Sequence, residues 1–290
     1  MTGGRGTPPL IDAHHHLWRA ADLLPHGILA SPYLRRDFLW PDLERSWEGL
    51  DVRSTVAVQA RDDEGEVGFV EEIAARHPGL AAMVAWAPLE REDVRSRLEA
   101  LSERSIVRGV RRNTQGEPDP AFIRRPAFGA GARALGELGL VCELCVRDDQ
   151  VASVPPMARE CPETLVVVDH IGKPDVSGSP PPGWLRAMEE LGRLSNVFVK
   201  LSPVVHTDAD RPLEAETQAP FLRHVVECLG WDRVLFGSNW PVSLAVTGYR
   251  AWAEIVTAVL SPSDESLLQA LFADNAARLF GIGPRSTRPF

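Results

Sequence analysis

The chain has 290 residues, of which 44% are hydrophobic and 24% are charged, and its formal net charge is −9 at pH 7. This composition is that of a globular protein with a large core, and the acidic charge argues against binding to nucleic acid or to an anionic membrane. The first residues lack the apolar core of a signal peptide, and no apolar run reaches the roughly 20 residues that span a bilayer. We therefore expect a soluble, cytoplasmic protein that binds a small molecule; the sequence does not indicate its oligomeric state.

Eight short apolar segments run along the chain, and a helix-like stretch follows each of them. They are rich in Val, Ile and Leu without clean alternation, which is typical of parallel strands buried on both faces. Eight such units predict one (β/α)8 barrel of the TIM type over residues 1–290, with tails at 1–7 and 284–290. An open doubly wound sheet is disfavoured, because no glycine-rich phosphate-binding motif follows a strand. The predicted strands are PLIDAH, STVAVQA, AAMVAWA, IVRGVRR, LVCELCV, LVVVDHI, VFVKLS and RVLFGS.

The first predicted strand ends in a run of three histidines, IDAHHHLW. Side chains alternate along a strand, so His14 and His16 share one face and His15 takes the other. In a (β/α)8 barrel the chemistry lies at the carboxyl ends of the strands. His14 and His16 are therefore candidates to bind a metal ion or a substrate oxygen, whereas we interpret His15 as a packing or surface residue.

Polar residues also follow the sixth and eighth predicted strands, in VVVDHIGKP and VLFGSNWPV. The sixth strand places His170 at the barrel mouth and Asp169 on the opposite face. In the eighth, Gly237 permits close approach and Asn239 lies at the mouth. The alternatives are a histidine bonded to a backbone carbonyl and a simple turn asparagine.

Further residues at the strand ends are candidates for substrate contacts. Arg111 ends the fourth strand and would clamp a carboxylate or a carbonyl oxygen, although a surface arginine is the alternative. Glu143 lies inside an apolar run and needs a cationic partner, for which Lys200 or Arg111 is available. The remaining candidates are Gln59, Trp86, His206 and Trp240.

The motifs IDAHHHLW, GVRRN, VVVDHIGKP, VFVKLSP, VLFGSNWPV and DNAARLF together resemble the amidohydrolase superfamily. The resemblance is strongest to its amidohydrolase 2 branch, which contains L-rhamnonolactonase-like and L-fuconolactonase-like enzymes and 2-pyrone-4,6-dicarboxylate lactonase. The motifs occur in the family's order over nearly the whole chain. The resemblance implies a distorted (β/α)8 barrel and the hydrolysis of a cyclic ester.

The resemblance also assigns roles to individual residues. The H-x-H motif of the family corresponds to His14 and His16, its sixth-strand histidine to His170 and its fourth-strand arginine to Arg111. The strand-eight residue of the family is usually an aspartate that takes a proton from water or binds a metal, and here it is Asn239. An amide cannot act as a general base near neutral pH and is a weaker ligand than a carboxylate.

We therefore expect a hydrolase that opens a lactone of a small polar or carboxylated substrate. Its catalytic residues would be His14, His16, His170 and Asn239, and the base would be His170, His14 or Glu143. We expect no metal or a weakly bound zinc ion, held by the three histidines. One alternative is a non-hydrolytic enzyme on the same scaffold, performing cyclisation, dehydration or decarboxylation, which an amide at position 239 would suit. The other is a non-catalytic binding protein, which the intact set of histidines disfavours.

Overall fold

A computed structural model describes residues 6–23, 32–205 and 212–283. Its sheet contains eight parallel strands, and each strand pairs with the next one along the chain. This order confirms the barrel prediction and excludes the doubly wound sheet. The strands are β1 Leu10–His15, β2 Val52–Val58, β3 Leu80–Trp86, β4 Val107–Asn113, β5 Val141–Cys145, β6 Val166–Val168, β7 Val197–Leu201 and β8 Val234–Phe236.

Helices lie between the strands and cover the barrel. A typical one is Tyr249–Leu260, which buries Tyr249, Trp252 and Val256 at helical spacing. No helix in the described ranges is long and apolar enough to cross a membrane. The helices are α1 Ala20–Leu23, α2 Trp40–Ser46, α3 Glu66–Ala74, α4 Val94–Ser102, α5 Pro126–Glu137, α6 Val154–Arg159, α7 Pro182–Gly192, α8 Ala215–Leu229, α9 Tyr249–Leu260, α10 Glu265–Gln269 and α11 Asn275–Phe280.

Backbone contacts just beyond β8 close the barrel against β1. His15 and Trp240 form a parallel bridge. The amide of His16 donates to the Trp240 carbonyl at 2.7 Å, and the amide of Asn239 donates to the His14 carbonyl at 2.8 Å. The register shifts within the β1–β2, β2–β3 and β3–β4 pairs, so the barrel is distorted. The closure places β1 directly beside the segment that carries Asn239.

Apolar side chains fill the interior of the barrel below its carboxyl-terminal mouth. Val56, Val167, Phe198 and Leu235 are fully or almost fully buried there, and Phe280 of α11 joins the same cluster. Burying each such side chain contributes about 1.5–3 kcal/mol. A charged side chain buried within this apolar interior therefore needs a partner of opposite charge or hydrogen bonds.

Candidate active site

The paired histidines of β1 face each other at the mouth of the barrel. Nε2 of His14 lies 3.2 Å from Nε2 of His16. Nδ1 of His16 lies 2.9 Å from the Val58 carbonyl, and Nδ1 of His14 lies 3.1 Å from Oδ1 of Asp169. A carbonyl and a carboxylate only accept hydrogen bonds, so they favour a proton on Nδ1 of each ring. The two Nε2 lone pairs then converge on the same point.

A left-handed turn follows β6 and carries two more side chains into the site. The φ angles are +49° at His170, +50° at Ile171, +75° at Gly172 and +50° at Lys173. Strand alternation therefore stops at the end of β6, and both Asp169 and His170 turn inward. The prediction that Asp169 points away from His170's side of the strand is wrong for this reason, since Asp169 contacts His14 directly.

Two contacts hold this turn in place. Nδ1 of His170 lies 2.7 Å from Oγ of the buried Ser202, just past β7. Nε1 of Trp184 donates to the Ile171 carbonyl at 2.7 Å. The ring centre of His170 consequently lies 4.5 Å from that of His14. The structure thus brings His14, His16 and His170 together.

Arg111 links the histidines to Asp169. Its Nη1 donates to Oδ2 of Asp169 at 3.0 Å and lies 3.5 Å from Nε2 of His14. Its Nη2 donates to the carbonyl and to Oε1 of Gln59, at 2.7 and 3.1 Å. The guanidinium is thus held at both ends and lies beside the histidines.

Beneath His14 lies a second, fully buried pair of charges. Nζ of Lys200 is 2.6 Å from Oε2 of Glu143, which gives Glu143 one of its two predicted partners. The same ammonium lies 3.5 Å from Oδ1 of Asp169 and 3.2 Å from Nδ1 of His14. Two cations and two carboxylates therefore surround His14, and their charges balance inside the barrel.

Burial controls the protonation of the site. It lowers the pKa values of His14, His16 and His170 well below the usual value, so these imidazoles are neutral at neutral pH. Burial alone would raise the pKa of Asp169, but His14, Lys200 and Arg111 hold it well below its ordinary range. Burial, together with the charge of Asp169, raises the pKa of Glu143, and the charges of Lys200 and Arg111 oppose that rise.

Asn239 lies next to His14 through the backbone. Its φ is +52°, and its Nδ2 donates to the Pro203 carbonyl at 3.1 Å. Gly237 makes this approach possible, because a Cβ there would lie 2.8 Å from Cβ of His14. The structure therefore places Asn239 beside His14, at the mouth of the barrel.

Asp12 and Ser238 are two site residues that sequence reasoning missed. Asp12 accepts from the amides of His14 and Ser238, at 3.0 and 2.9 Å, and from Oγ of Ser238 at 2.7 Å. These bonds fix β1 against the segment that carries Asn239. An aspartate inside an apolar strand, on the same face as His14, was the available signal. Ser202, which was also missed, lies within the VFVKLSP motif.

The other predicted substrate contacts have mixed outcomes. Trp86 is half-buried and pairs with Arg111 across β3 and β4. Glu143 and Lys200 are fully buried beneath His14, and the Trp240 ring is buried against Phe38 with centroids 5.4 Å apart. The structure therefore does not support direct substrate contacts by these three residues. His206 lies outside the described residues.

The site contains the donors that a metal ion would need. Within the described ranges, His14, Asp169 and His170 each offer a ligand atom within 4.8 Å of the others. Two nitrogens bound tetrahedrally to one zinc ion lie about 3.3 Å apart, close to the 3.2 Å between Nε2 of His14 and Nε2 of His16. Asp169 already contacts His14 and Arg111, as a carboxylate does when it orients a metal-binding histidine. The imidazoles therefore fit a divalent cation.

Comparison with known proteins agrees with this arrangement. A family model described as amidohydrolase matches residues 11–282. An L-fucono-1,5-lactonase of Burkholderia multivorans is 32% identical over 293 residues, covering 94% of this chain and 96% of the relative. An L-fucono-1,5-lactonase of Burkholderia ambifaria is 29% identical over 277 residues, covering 93% of this chain and 92% of the relative. A crystal structure of an amidohydrolase from Burkholderia multivorans with bound Zn has a TM-score of 0.85 and 29% identity, covering 94% of this chain and 99% of the other.

Proposed function

Because this chain is an enzyme of the amidohydrolase family, we propose that it hydrolyses the ring ester of a small lactone. One observation carries the proposal: three neutral imidazoles and a fixed guanidinium converge at the carboxyl-terminal mouth of the barrel. The names of the lactonase relatives support the same reaction. A purely binding protein is excluded by the family, and the non-hydrolytic alternative gains no support from the site.

Arg111 is the residue that we assign to the ester carbonyl. Asp169 and Gln59 hold its guanidinium in place, so its charge is oriented before the substrate arrives. A cation positioned in this way stabilises the negative charge that develops on the carbonyl oxygen during attack by water. His16 is 6% exposed, slightly more than the other two imidazoles, and would contact the substrate beside Arg111.

His170 is the residue that we assign as general base. Both ring nitrogens of His14 have neighbours, Asp169 at Nδ1 and Arg111 at Nε2. Glu143 is fully buried and paired with Lys200. His170 uses only Nδ1, toward Ser202, which leaves Nε2 to accept a proton from water. Asn239 has no proton to exchange near neutral pH, so its role is to position this water.

We further propose that any metal at this site is weakly held zinc. His14, His16 and His170 would hold it, and a bound zinc ion would polarise the ester carbonyl. His170 would act as the base only in the metal-free enzyme, since its Nε2 cannot bind zinc and accept a proton at once. Arg111 opposes tight binding, since its Nη1 lies 3.5 Å from Nε2 of His14 and carries a permanent positive charge. Asn239 supplies no negative charge to compensate.

A screen of sugar lactones and aromatic-derived lactones, with and without added divalent metal, tests the proposal. Wild type should open at least one lactone, and His170→Asn should abolish that activity. Arg111→Lys should impair it, because an ammonium cannot reproduce the planar guanidinium. His77→Asn is the matched control, since His77 stacks on Trp40 instead of facing the site. Folded wild type that opens no lactone, or a fully active His170→Asn variant, would refute the proposal.

A further inference from the structure

Lys173 is the last residue of the left-handed turn that presents His170. Its φ is +50°, and its amide donates to the His170 carbonyl at 2.8 Å. A left-handed backbone costs roughly 1–2 kcal/mol for a residue with a Cβ and is normally occupied by glycine. A residue with a long side chain at such a position points to a role for that side chain.

The ammonium of Lys173 lies over the carboxyl ends of β4 and β5. It donates to Oε1 of Gln115, just past β4, at 2.6 Å. Sγ of Cys145, at the end of β5, lies 3.9 Å from the same oxygen. The backbone carbonyl of Gln115 accepts from the Arg147 guanidinium, which fixes this segment. The half-buried lysine is therefore held at the mouth.

Lys173 differs from the neighbouring cations in having no carboxylate partner among the residues that the structure describes. Arg111 pairs with Asp169, and Lys200 pairs with Glu143. The arginines that flank this segment are paired in the same way: Arg112 with Glu90 and Glu117, and Arg147 with Asp149.

Composition sets Lys173 apart as well. Lysine and arginine together number 31 in the chain, yet only two of these residues are lysines, Lys173 and Lys200. One is buried within the site and the other lies at its mouth. An ammonium offers three donors, and Gln115 accepts from one of them.

We propose that Lys173 binds a carboxylate on the substrate, so that the enzyme prefers lactones carrying an anionic group to neutral sugar lactones. This inference rests on the proposed lactone hydrolysis. The carboxylate would occupy the donors of Lys173 that face the mouth, while the ring ester lies toward Arg111 and His170. Binding through a charge-assisted hydrogen bond affects substrate affinity more than the chemical step.

Paired substrates test the inference: a lactone bearing a ring carboxylate and its carboxamide counterpart. Lys173→Met should lower kcat/KM for the carboxylate about 10- to 100-fold, mainly through KM, and change that for the carboxamide less than about twofold. Lys173→Arg should retain the preference. Arg159→Gln, on the outer helix α6 and paired with Glu190, also removes one positive charge and should change neither value.

A second readout does not depend on turnover. Reductive methylation with ¹³C-formaldehyde should label Lys173 and the terminal amine, while the fully buried Lys200 resists labelling. Adding a non-hydrolysable lactam analogue that bears the ring carboxylate should shift the Lys173 signal, and its carboxamide counterpart should not; lactams are used because opening either lactone would release a further carboxylate. If wild type opens neither lactone, the proposed function fails. If it opens them and Lys173→Met affects both equally or neither, the carboxylate inference alone is overturned.

Discussion

Nζ of Lys200 lies 2.6 Å from Oε2 of Glu143 at a depth where neither side chain is exposed. Removing one partner of such a pair leaves an uncompensated buried charge, which typically costs about 3–5 kcal/mol. We therefore expect Lys200→Met to lower the free energy of unfolding by about that amount in urea titrations. Lys200→Met/Glu143→Leu should be more stable than Lys200→Met alone. If the loss of unfolding free energy in the double variant equals the sum of the losses in Lys200→Met and Glu143→Leu, the two charges do not stabilise each other.

Ser202 should act through His170. Ser202→Ala removes the only hydrogen bond found to Nδ1 of His170 within the described ranges. We expect kcat to fall about tenfold with little change in KM, since positioned general bases contribute about 10²–10⁴-fold to rates. Ser153→Ala is the control, because Ser153 likewise makes one side-chain hydrogen bond, to the Pro120 carbonyl. Equal kcat in the two variants would remove Ser202 from the mechanism.

Asn239→Asp should increase lactone hydrolysis. A carboxylate at this position can accept a proton, and we expect a gain of about tenfold or more at neutral pH. The gain has a cost in stability of about 1 kcal/mol, because the donor to the Pro203 carbonyl is lost. Rates of both proteins on the same lactone across pH provide the measurement. Slower hydrolysis by the variant would mean that the amide itself is required.

Zinc affinity should depend on Arg111. We expect wild type to lose bound zinc on dialysis against a chelator while keeping its circular dichroism spectrum. Arg111→Met should bind zinc about tenfold more tightly in calorimetric titrations, since it removes a charge 3.5 Å from Nε2 of His14. Adding His16→Ala to Arg111→Met should cancel the gain. A full equivalent of zinc that survives the chelator in wild type would contradict weak binding.

Glu66, outside the site, should make stability depend on pH. Burial raises its pKa to about 7 from the ordinary 4.5, against the hydrogen bonds from the amides of Ala60 and Arg61. The folded chain then holds the proton more tightly than the unfolded chain, so this stabilisation is complete below pH 4.5 and disappears as pH rises through 7.

Glu66→Gln cannot titrate and isolates this contribution. The unfolding free energy of wild type, relative to the variant, should fall by about 3 kcal/mol between pH 4.5 and pH 7. Urea titrations at several pH values measure it. Glu72→Gln, an exposed position on α3, serves as the control. A relative stability of Glu66→Gln that is constant with pH would show that Glu66 stays ionised.

The success of sequence reasoning depended on how regular the backbone is. Along β1 the side chains alternate despite the register shifts against β2, so alternation correctly placed His14 and His16 together. Beyond β6 the backbone becomes left-handed, and the β-branched Ile171 at φ +50° gives no local warning of it. Alternation therefore failed for Asp169, whose contacts with His14 and Arg111 define much of the site.

Contacts across the barrel were the other part that the sequence could not supply. Ser202 contacts His170 because β6 and β7 are neighbours in the sheet. Nothing in the sequence of either segment indicates that these two residues pair. Trp240 was predicted to contact the substrate. Its backbone instead bridges to His15, and its ring is buried against Phe38. Such contacts follow from the closure of the barrel. The pattern of strands predicts that the barrel closes, but not which side chains then meet.

The bonds between Asp12 and Ser238 join residues 226 positions apart. Contacts this distant in sequence form late in folding, because a long loop must close before they contribute any energy. On the ribosome, Asp12 and His14 emerge early and wait for most of the chain before Ser238 reaches them. We therefore expect the histidines to acquire their final orientation only when the last strand joins the first, so that a nascent chain lacks an assembled site.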